Sequence, residues 1–358
     1  METRILDKIN EFELIIQTND IRDLSSLSVP MQDVIWDIST YEVLPKNINN
    51  KFIVVIDNDN LVGFASIMCQ PGKLDGCEFL AIHSVAEPGD LRYKNEFVLN
   101  KLLEILANLN IPLTFRRIRS DSLTIPAFDK VFRKKGIVVH REQSDYPYIL
   151  LKSNDNDPMS LLSTRLKSDL RRAQRKADSL GVVSYEIHAP KTEHEFLSLY
   201  ENVMNTEAAG WKGRIGTALA CNSVLNDFFR RYGIRATNRG ILRLAFMRIN
   251  SEVVAMQFAV EYDNRLWLLK IGYNEDYKIC SPGNLLMLKT LCYAFENNFS
   301  SYEFLGASEA WTSRWTKLSR PTVRLLYFPY NFIGILALSK FTFRRIKNRL
   351  LIIFRLLK

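Results

Sequence analysis

One order of elements occurs twice in this chain and constrains its fold more than any single motif. Two strands joined by a tight turn are followed by a third strand, a break, a helix and a further strand, over residues 51–118 and again over 241–306. In the first copy, Phe52–Ile56 leads through Asp57-Asn58-Asp59-Asn60 into Leu61–Met68, which reads as a hairpin. Glu78–Val85 is the third strand, and Glu87-Pro88-Gly89-Asp90 the break. A helix over 95–108 carries Phe97, Val98, Leu102, Ile105, Leu106 and Leu109 at helical spacing, and Pro112–Phe115 opens the next strand. The second copy runs Ile241–Ile249, Asn250-Ser251, Val253–Tyr262, Asp263-Asn264, Leu266–Ile271, Ser281-Pro282-Gly283, a helix, and Ser301–Gly306. The two copies share pattern and little residue identity. Repetition of this kind predicts two α/β (α+β) domains of one architecture, each a mixed, mostly antiparallel sheet flanked by helices.

The rest of the chain is placed around these copies. Residues 1–50 hold two short helices, and Gly136–Val139 is a strand. The polar stretch 153–158 separates a domain 1–152 from a domain 153–330, and 331–358 forms a tail. Asp157-Pro158 starts a long helix that runs to Leu180, with Leu162, Leu166, Leu170, Ala173, Ala177 and Leu180 on one side. Arg165, Lys167, Arg171, Arg172, Arg175 and Lys176 occupy the other side, either as a solvated face or as a clamp for phosphate or acidic groups. Val182–His188 is a strand, and Glu195–Ala209 and Ser223–Tyr232 are helices. Glu207 falls on the apolar side of its helix with Tyr200 and Val203. A carboxylate there is either an ion-pair partner of a nearby Lys or Arg, or a general base of raised pKa lining a cleft.

Charge and cysteine usage limit the function. The chain of 358 residues has a net charge of +9, of which seven cations and no acid lie in 331–358. The remainder is close to neutral, which removes the support for DNA binding. Five cysteines, with no C-x-x-C pair, argue against a disulfide framework and a structural zinc site and fit a reducing cytoplasm. The four histidines form neither a metal spacing nor an acyl-transfer motif, so no metal is expected.

The break of the second copy has the makings of an anion site. Serine accepts hydrogen bonds from first-turn amides, Pro282 suits the first helical position, and Gly283 lets a ligand approach the backbone. Either Ser281-Pro282-Gly283 simply starts a helix, or free amides and the positive end of the helix dipole around Ser281, Pro282, Gly283, Asn284 and Leu285 would receive a phosphate or diphosphate. Cys280, with no histidine near it in sequence, reads as a buried structural thiol.

Five segments in order carry a family resemblance: Lys167-Ser168-Asp169-Leu170-Arg171-Arg172, Glu207-x-x-Gly210-Trp211-Lys212-Gly213, Lys270-Ile271-Gly272-Tyr273-Asn274-Glu275, Ser281-Pro282-Gly283, and Phe304-Leu305-Gly306-x-x-Glu309-x-Trp311. Residues 155–325 resemble the acyltransferase domain of the GNAT superfamily, in particular the CelD/BcsL-like group of cellulose-synthesis proteins. The tandem arrangement is similar to that of the FemABX aminoacyltransferases, which take amino acids from aminoacyl-tRNA. The resemblance implies an acyl-CoA-dependent N- or O-acyltransferase, with acetyl-CoA or another acyl-CoA as co-substrate. The acceptor would be a small molecule or a glycan in polysaccharide biosynthesis. The acyl-CoA would lie between two parting strands, 266–271 and 301–305, with Ile271 beside it. Glu207 would act as base, Lys270 and Tyr273 would flank the thioester, and Trp211, Lys212, Arg171, Arg172, Glu309 and Trp311 would shape the acceptor side. The first copy would be a degenerate partner, because Glu87 and Asp90 at its break repel a diphosphate. The loop has one glycine where the family has two, and the tyrosine the family places just after the last core strand to protonate the leaving thiolate is not visible, the first one after Tyr302 being Tyr327. FemABX-like aminoacyl transfer and a non-catalytic scaffold are the alternatives.

The tail joins an apolar segment, Phe332–Leu338, to a basic one in which Phe341, Ile346, Leu350, Ile353 and Leu357 recur every three to five residues. It is either a helix packed on its own domain or a basic amphipathic helix on the inner, anionic face of the cytoplasmic membrane.

Overall fold

The computed structural model describes residues 1–19, 24, 28–69, 76–82, 85, 87–151 and 157–356, without the side chains of 348–356. The expected boundary at 152–153 and most of the polar stretch after it lie outside the described residues. In chain order the elements are β1 (Glu2–Leu6), α1 (Ile9–Gln17), α2 (Val34–Tyr41), β2 (Asn49–Asp57), β3 (Asn60–Cys69), β4 (Cys77–Phe79), β5 (Arg92–Tyr93) and α3 (Glu96–Asn108). β6 (Leu113–Arg119), α4 (Thr124–Phe132), β7 (Gly136–Leu150), α5 (Thr164–Leu180), β8 (Val183–His188), α6 (Glu193–Ala208), α7 (Trp211–Arg214) and α8 (Ser223–Asn238) follow. The chain ends with β9 (Leu242–Ile249), β10 (Glu252–Tyr262), β11 (Arg265–Tyr273), α9 (Pro282–Glu296), β12 (Ser301–Glu303), β13 (Ser319–Pro329) and α10 (Phe332–Leu356).

Two compact units form, and neither is continuous in sequence. One contains residues 1–27, 44–143 and 321–358, the other 28–43 and 144–320. In the first unit β1, β2, β3 and β4 pair antiparallel, β4 runs parallel to β6, and β6 pairs antiparallel with Thr322–Tyr327 of β13. In the second, β8, β9, β10 and β11 pair antiparallel, β11 runs parallel to β12, and β12 pairs antiparallel with Tyr148–Leu150 of β7. Each sheet thus has a hairpin, one parallel pair and a crossover helix, α3 or α9, which is the repeated order read from the sequence. The tandem GNAT-like fold, with a mixed sheet and flanking helices in each unit, is present. Apolar residues of α3, α4 and the first sheet form one core. Those of α5, α9 and the second sheet form another.

Several local expectations change. The helix expected from Pro158 is a 3-10 turn, Pro158–Leu161, and α5 begins later, where Ser163 caps it by accepting from the Leu166 amide at 3.3 Å. α3 starts where expected, with the Asn95 side chain accepting from the Val98 amide at 3.1 Å, but its Phe97, expected on the apolar side, is exposed. Asp90 is half-buried and accepts from Ser122 and Thr124 (2.5 and 2.6 Å), so this acid is spent inside its own unit. Cys69 and Cys77 face each other across β3 and β4 and form a disulfide, contrary to the expectation of free thiols throughout. The odd cysteine count carried no information about two positions that strand pairing brings together. Cys280 is buried, and its thiol donates to the Tyr277 carbonyl (3.1 Å) as a structural group.

The second unit has one feature that matters for chemistry. β11 and β12 pair only at Arg265–Ser301, Leu266–Tyr302 and Trp267–Glu303, whereas β11 continues to Tyr273. Beyond Glu303 the chain follows β7, with the Phe304 amide donating to the Pro147 carbonyl at 3.0 Å. It then turns away through Leu305 and Gly306, both left-handed at φ 57° and 61°. A leucine in that region costs about 1–2 kcal/mol, so the divergence is imposed by its surroundings. At the fork the buried Glu303 is held by a bidentate Arg320 (2.6 and 3.0 Å) and by Ser301 (2.6 Å). A bulge between Leu268 and Lys270, opposite Ala259 and Phe258, bends β11 just where it loses its parallel partner.

Candidate active site

A cavity of about 580 Å3 lies at the open edge of β11. Its walls come from the end of α6 and α7 (Glu207, Trp211, Lys212), from Gln257 of β10, from Ile271 and Tyr273 of β11, from Ser281, Pro282, Gly283 and Asn284 at the start of α9, and from Glu309 and Trp311 after β12. Residues separated by over 100 positions in sequence therefore meet in one place.

Glu207 is the hub of this wall. It is 1% exposed, and every partner around it is a donor. Oε1 accepts from Lys212 Nζ (2.9 Å) and Lys270 Nζ (3.2 Å), and Oε2 accepts from the Leu219 amide (2.8 Å). Burial pushes its pKa up, but the two ammonium groups and the hydrogen bonds outweigh this and hold the carboxyl below its usual range. The raised pKa expected of a base is thus corrected to a lowered one. Sequence shows that a carboxylate faces inward; only the fold shows that two lysines from other elements meet it. Lys270 also lies over the Phe229 ring (5.3 Å). Lys212 reaches across to donate to the Ile271 carbonyl at 2.8 Å. Two glycines permit this closeness. A Cβ on Gly272 would sit 2.9 Å from Glu207 Cα, and one on Gly210 would sit 2.8 Å from the Tyr273 carbonyl oxygen.

The start of α9 differs from the sequence expectation. Ser281 is left-handed (φ 47°, ψ 55°) and its hydroxyl caps nothing. Its carbonyl instead accepts from the Asn284 and Leu285 amides (3.0 and 3.3 Å), and Pro282 has no amide hydrogen. Among the amides at this turn, the N–H of Gly283 is the one left without a backbone partner. A Cβ there would meet only Tyr273, at 3.6 Å, and would otherwise fill cavity space. A second cavity, of about 260 Å3, shares Ser281 and Asn284 and adds Arg172, Lys176 and Arg314. The anion character of this region therefore comes from one amide, the helix dipole and a set of side-chain cations. Leu285 is buried beneath, and Arg171 points outward from α5, away from both cavities. Asp169 ties the remaining cations together by accepting from Arg172 (3.4 Å) and Arg314 (2.8 Å).

Four wall residues escaped the sequence reading: Met256, Gln257, Lys278 and Met287. Gln257 is the most informative. Its Oε1 accepts from Thr290 (2.8 Å) and Tyr302 (3.2 Å), which fixes the amide, and its Nε2 has only the Met287 sulfur at 3.8 Å. A polar residue within the apolar strand Val253–Val260 was the available signal. Glu309 accepts from Trp311 Nε1 (2.9 Å) through Oε2. Among the described residues no group of three or more His, Cys, Asp or Glu is placed to hold a metal ion.

Residues 164–313, somewhat under half of the chain, match the family model described as an acetyltransferase (GNAT) domain. No curated protein matches the sequence. Among solved structures, FemX is similar with a TM-score of 0.58 at 11% identity, over 92% of this chain and 98% of that one. The C-terminal domain of a lysylphosphatidylglycerol synthetase from Agrobacterium fabrum gives 0.55 at 9% identity, over 90% and 94%. L-PGS from Bacillus licheniformis gives 0.54 at 10% identity, over 93% and 95%. These likenesses concern the fold. Residues 164–313 form an acyltransferase domain of the GNAT type, and the chain is a transferase.

Proposed function

We propose that the cavity at the open edge of β11 transfers an acyl group from coenzyme A to an amine or hydroxyl of a small-molecule or sugar acceptor, and that an acetyl group is the one carried. The observation that carries this reading is the early separation of β12 from β11, which leaves backbone groups of β11 unpaired beside a cavity that reaches the start of α9. In a strand, the N–H and C=O of one residue face the same edge. Lys212 takes the Ile271 carbonyl, so the Ile271 N–H faces that edge too and is the donor assigned to the thioester carbonyl oxygen. The diphosphate of the donor would meet the Gly283 N–H, Arg172 and Lys176.

In the transfer, the acceptor nitrogen or oxygen bonds to the carbonyl carbon, the carbon–sulfur bond breaks, the thiolate leaves and the acceptor loses a proton. Glu207 has no unused oxygen, so its assigned part is to hold Lys212 and Lys270 in place, and Tyr273 and Trp211 flank the acyl group. Glu309, whose Oε1 is not used by Trp311, is the proton acceptor in this reading. Turnover of acyl-CoA, followed as released thiol, tests it. Glu309→Gln should lower kcat, whereas unchanged turnover would refute the assignment.

Aminoacyl transfer from tRNA is the second reading. The exposed cations Arg165, Arg171 and Arg175 on α5 favour it, as does the likeness to FemX over nearly the whole of both chains. Protection against thermal unfolding by coenzyme A or by aminoacyl-tRNA separates the two.

A further inference from the structure

α10 has two apolar faces, and only one of them is used. Gly334, Ala337, Leu338 and Phe341 form the inner stripe, in which Ala337 joins Leu326 and Phe328 in a small core and Leu338 and Phe341 pack against it. Gly334 lets the helix touch the preceding strand, since a Cβ there would lie 2.0 Å from the Pro329 carbonyl oxygen. The opposite face carries Phe332, Leu336, Phe343 and Ile346, spaced by four, seven and three residues, with Ile335 beside them. All five are exposed, Phe332 by 75% and Phe343 by 68%. This outer stripe spans about 21 Å along the helix at 1.5 Å per residue. Lys340, Arg344 and Lys347 lie along its border, and no acid occurs from residue 331 to the end of the chain.

We infer that the outer face of α10 lies on an anionic lipid surface, with the stripe sunk among the acyl chains and the bordering cations at the level of the phosphates. Charge decides the occupant. An exposed apolar stripe, broken only by Ser339 and bordered by cations and no acid, matches a bilayer that is apolar inside and negative at its surface. A second copy would bring the same cations against these and repel. The described helices include none long and apolar enough to cross a membrane, so the contact lies in the plane of the interface. This inference is independent of the transferase reading.

The test is co-sedimentation of the full chain with vesicles of phosphatidylcholine alone or mixed with phosphatidylglycerol, at two salt concentrations. The chain should sediment with the anionic vesicles, weakly with the neutral ones, and less at high salt. Lys340→Gln/Arg344→Gln/Lys347→Gln should weaken binding by about 100-fold, from about fivefold per cation. Phe343→Ser/Ile346→Ser should weaken it by about the same factor while its thermal unfolding stays close to that of the parent, because both side chains are exposed and neither belongs to a core. Equal binding to neutral vesicles, no binding, parental binding by both variants, or a dimer that Phe343→Ser dissociates would each overturn the inference.

Discussion

Glu207→Gln should destabilise the protein at neutral pH through a donor clash that can be sized from the structure. Three donors converge on the carboxylate and no acceptor does. A glutamine keeps one acceptor oxygen and places an NH2 where the other oxygen was, against either the two ammonium groups or the Leu219 amide. Removing one member of a fully buried ion pair costs about 3–5 kcal/mol. Here the carboxylate side chain is 0% exposed, but Lys212 and Lys270 retain 21% and 14% of their surface. Water therefore screens part of the unpaired charge, and the lower end, about 3 kcal/mol, applies. The effect depends on pH in a definite sense. The folded pKa of Glu207 lies below the unfolded value of about 4.3, so its stabilisation is fully present above that value and is lost as pH falls through the folded pKa. Urea unfolding of parent and variant should thus differ by about 3 kcal/mol at pH 7, and the difference should shrink progressively as pH falls below about 4.3. Adding Lys212→Met to the variant should restore part of the loss. A difference under ~0.5 kcal/mol at pH 7, or one that persists undiminished in acid, would refute the reasoning.

Gly272→Ala should cost about 1–3 kcal/mol and disturb turnover, because the new methyl meets the Glu207 backbone at 2.9 Å and neither element can yield easily; equilibrium unfolding checks this. Gln257→Leu should leave the Thr290 and Tyr302 hydroxyls without their shared acceptor and cost about 1–3 kcal/mol in the same assay. Thiol titration of the denatured, unreduced chain should give three reactive cysteines, Cys221, Cys280 and Cys292, and five after reduction.

The sequence by itself determined the repeated order of elements, since period-two apolar runs, Asn- and Asp-rich turns and helical spacing are local signals that each copy carries in full. It also determined that Glu207 faces inward. The pairing was beyond its reach. β13 and the outer part of β7 complete sheets whose other strands lie far away in the chain, and a strand's neighbour is chosen by long-range packing that no local pattern records. The same holds for the parting of β11 and β12, which rests on a left-handed Leu305 and on the pull of β7. Whether an inward carboxylate is a base or a bound counter-ion also depends on which cations arrive beside it. Lys212 and Lys270 come from a helix and a strand that only the folded chain brings together, and with them the pKa of Glu207 moves down instead of up.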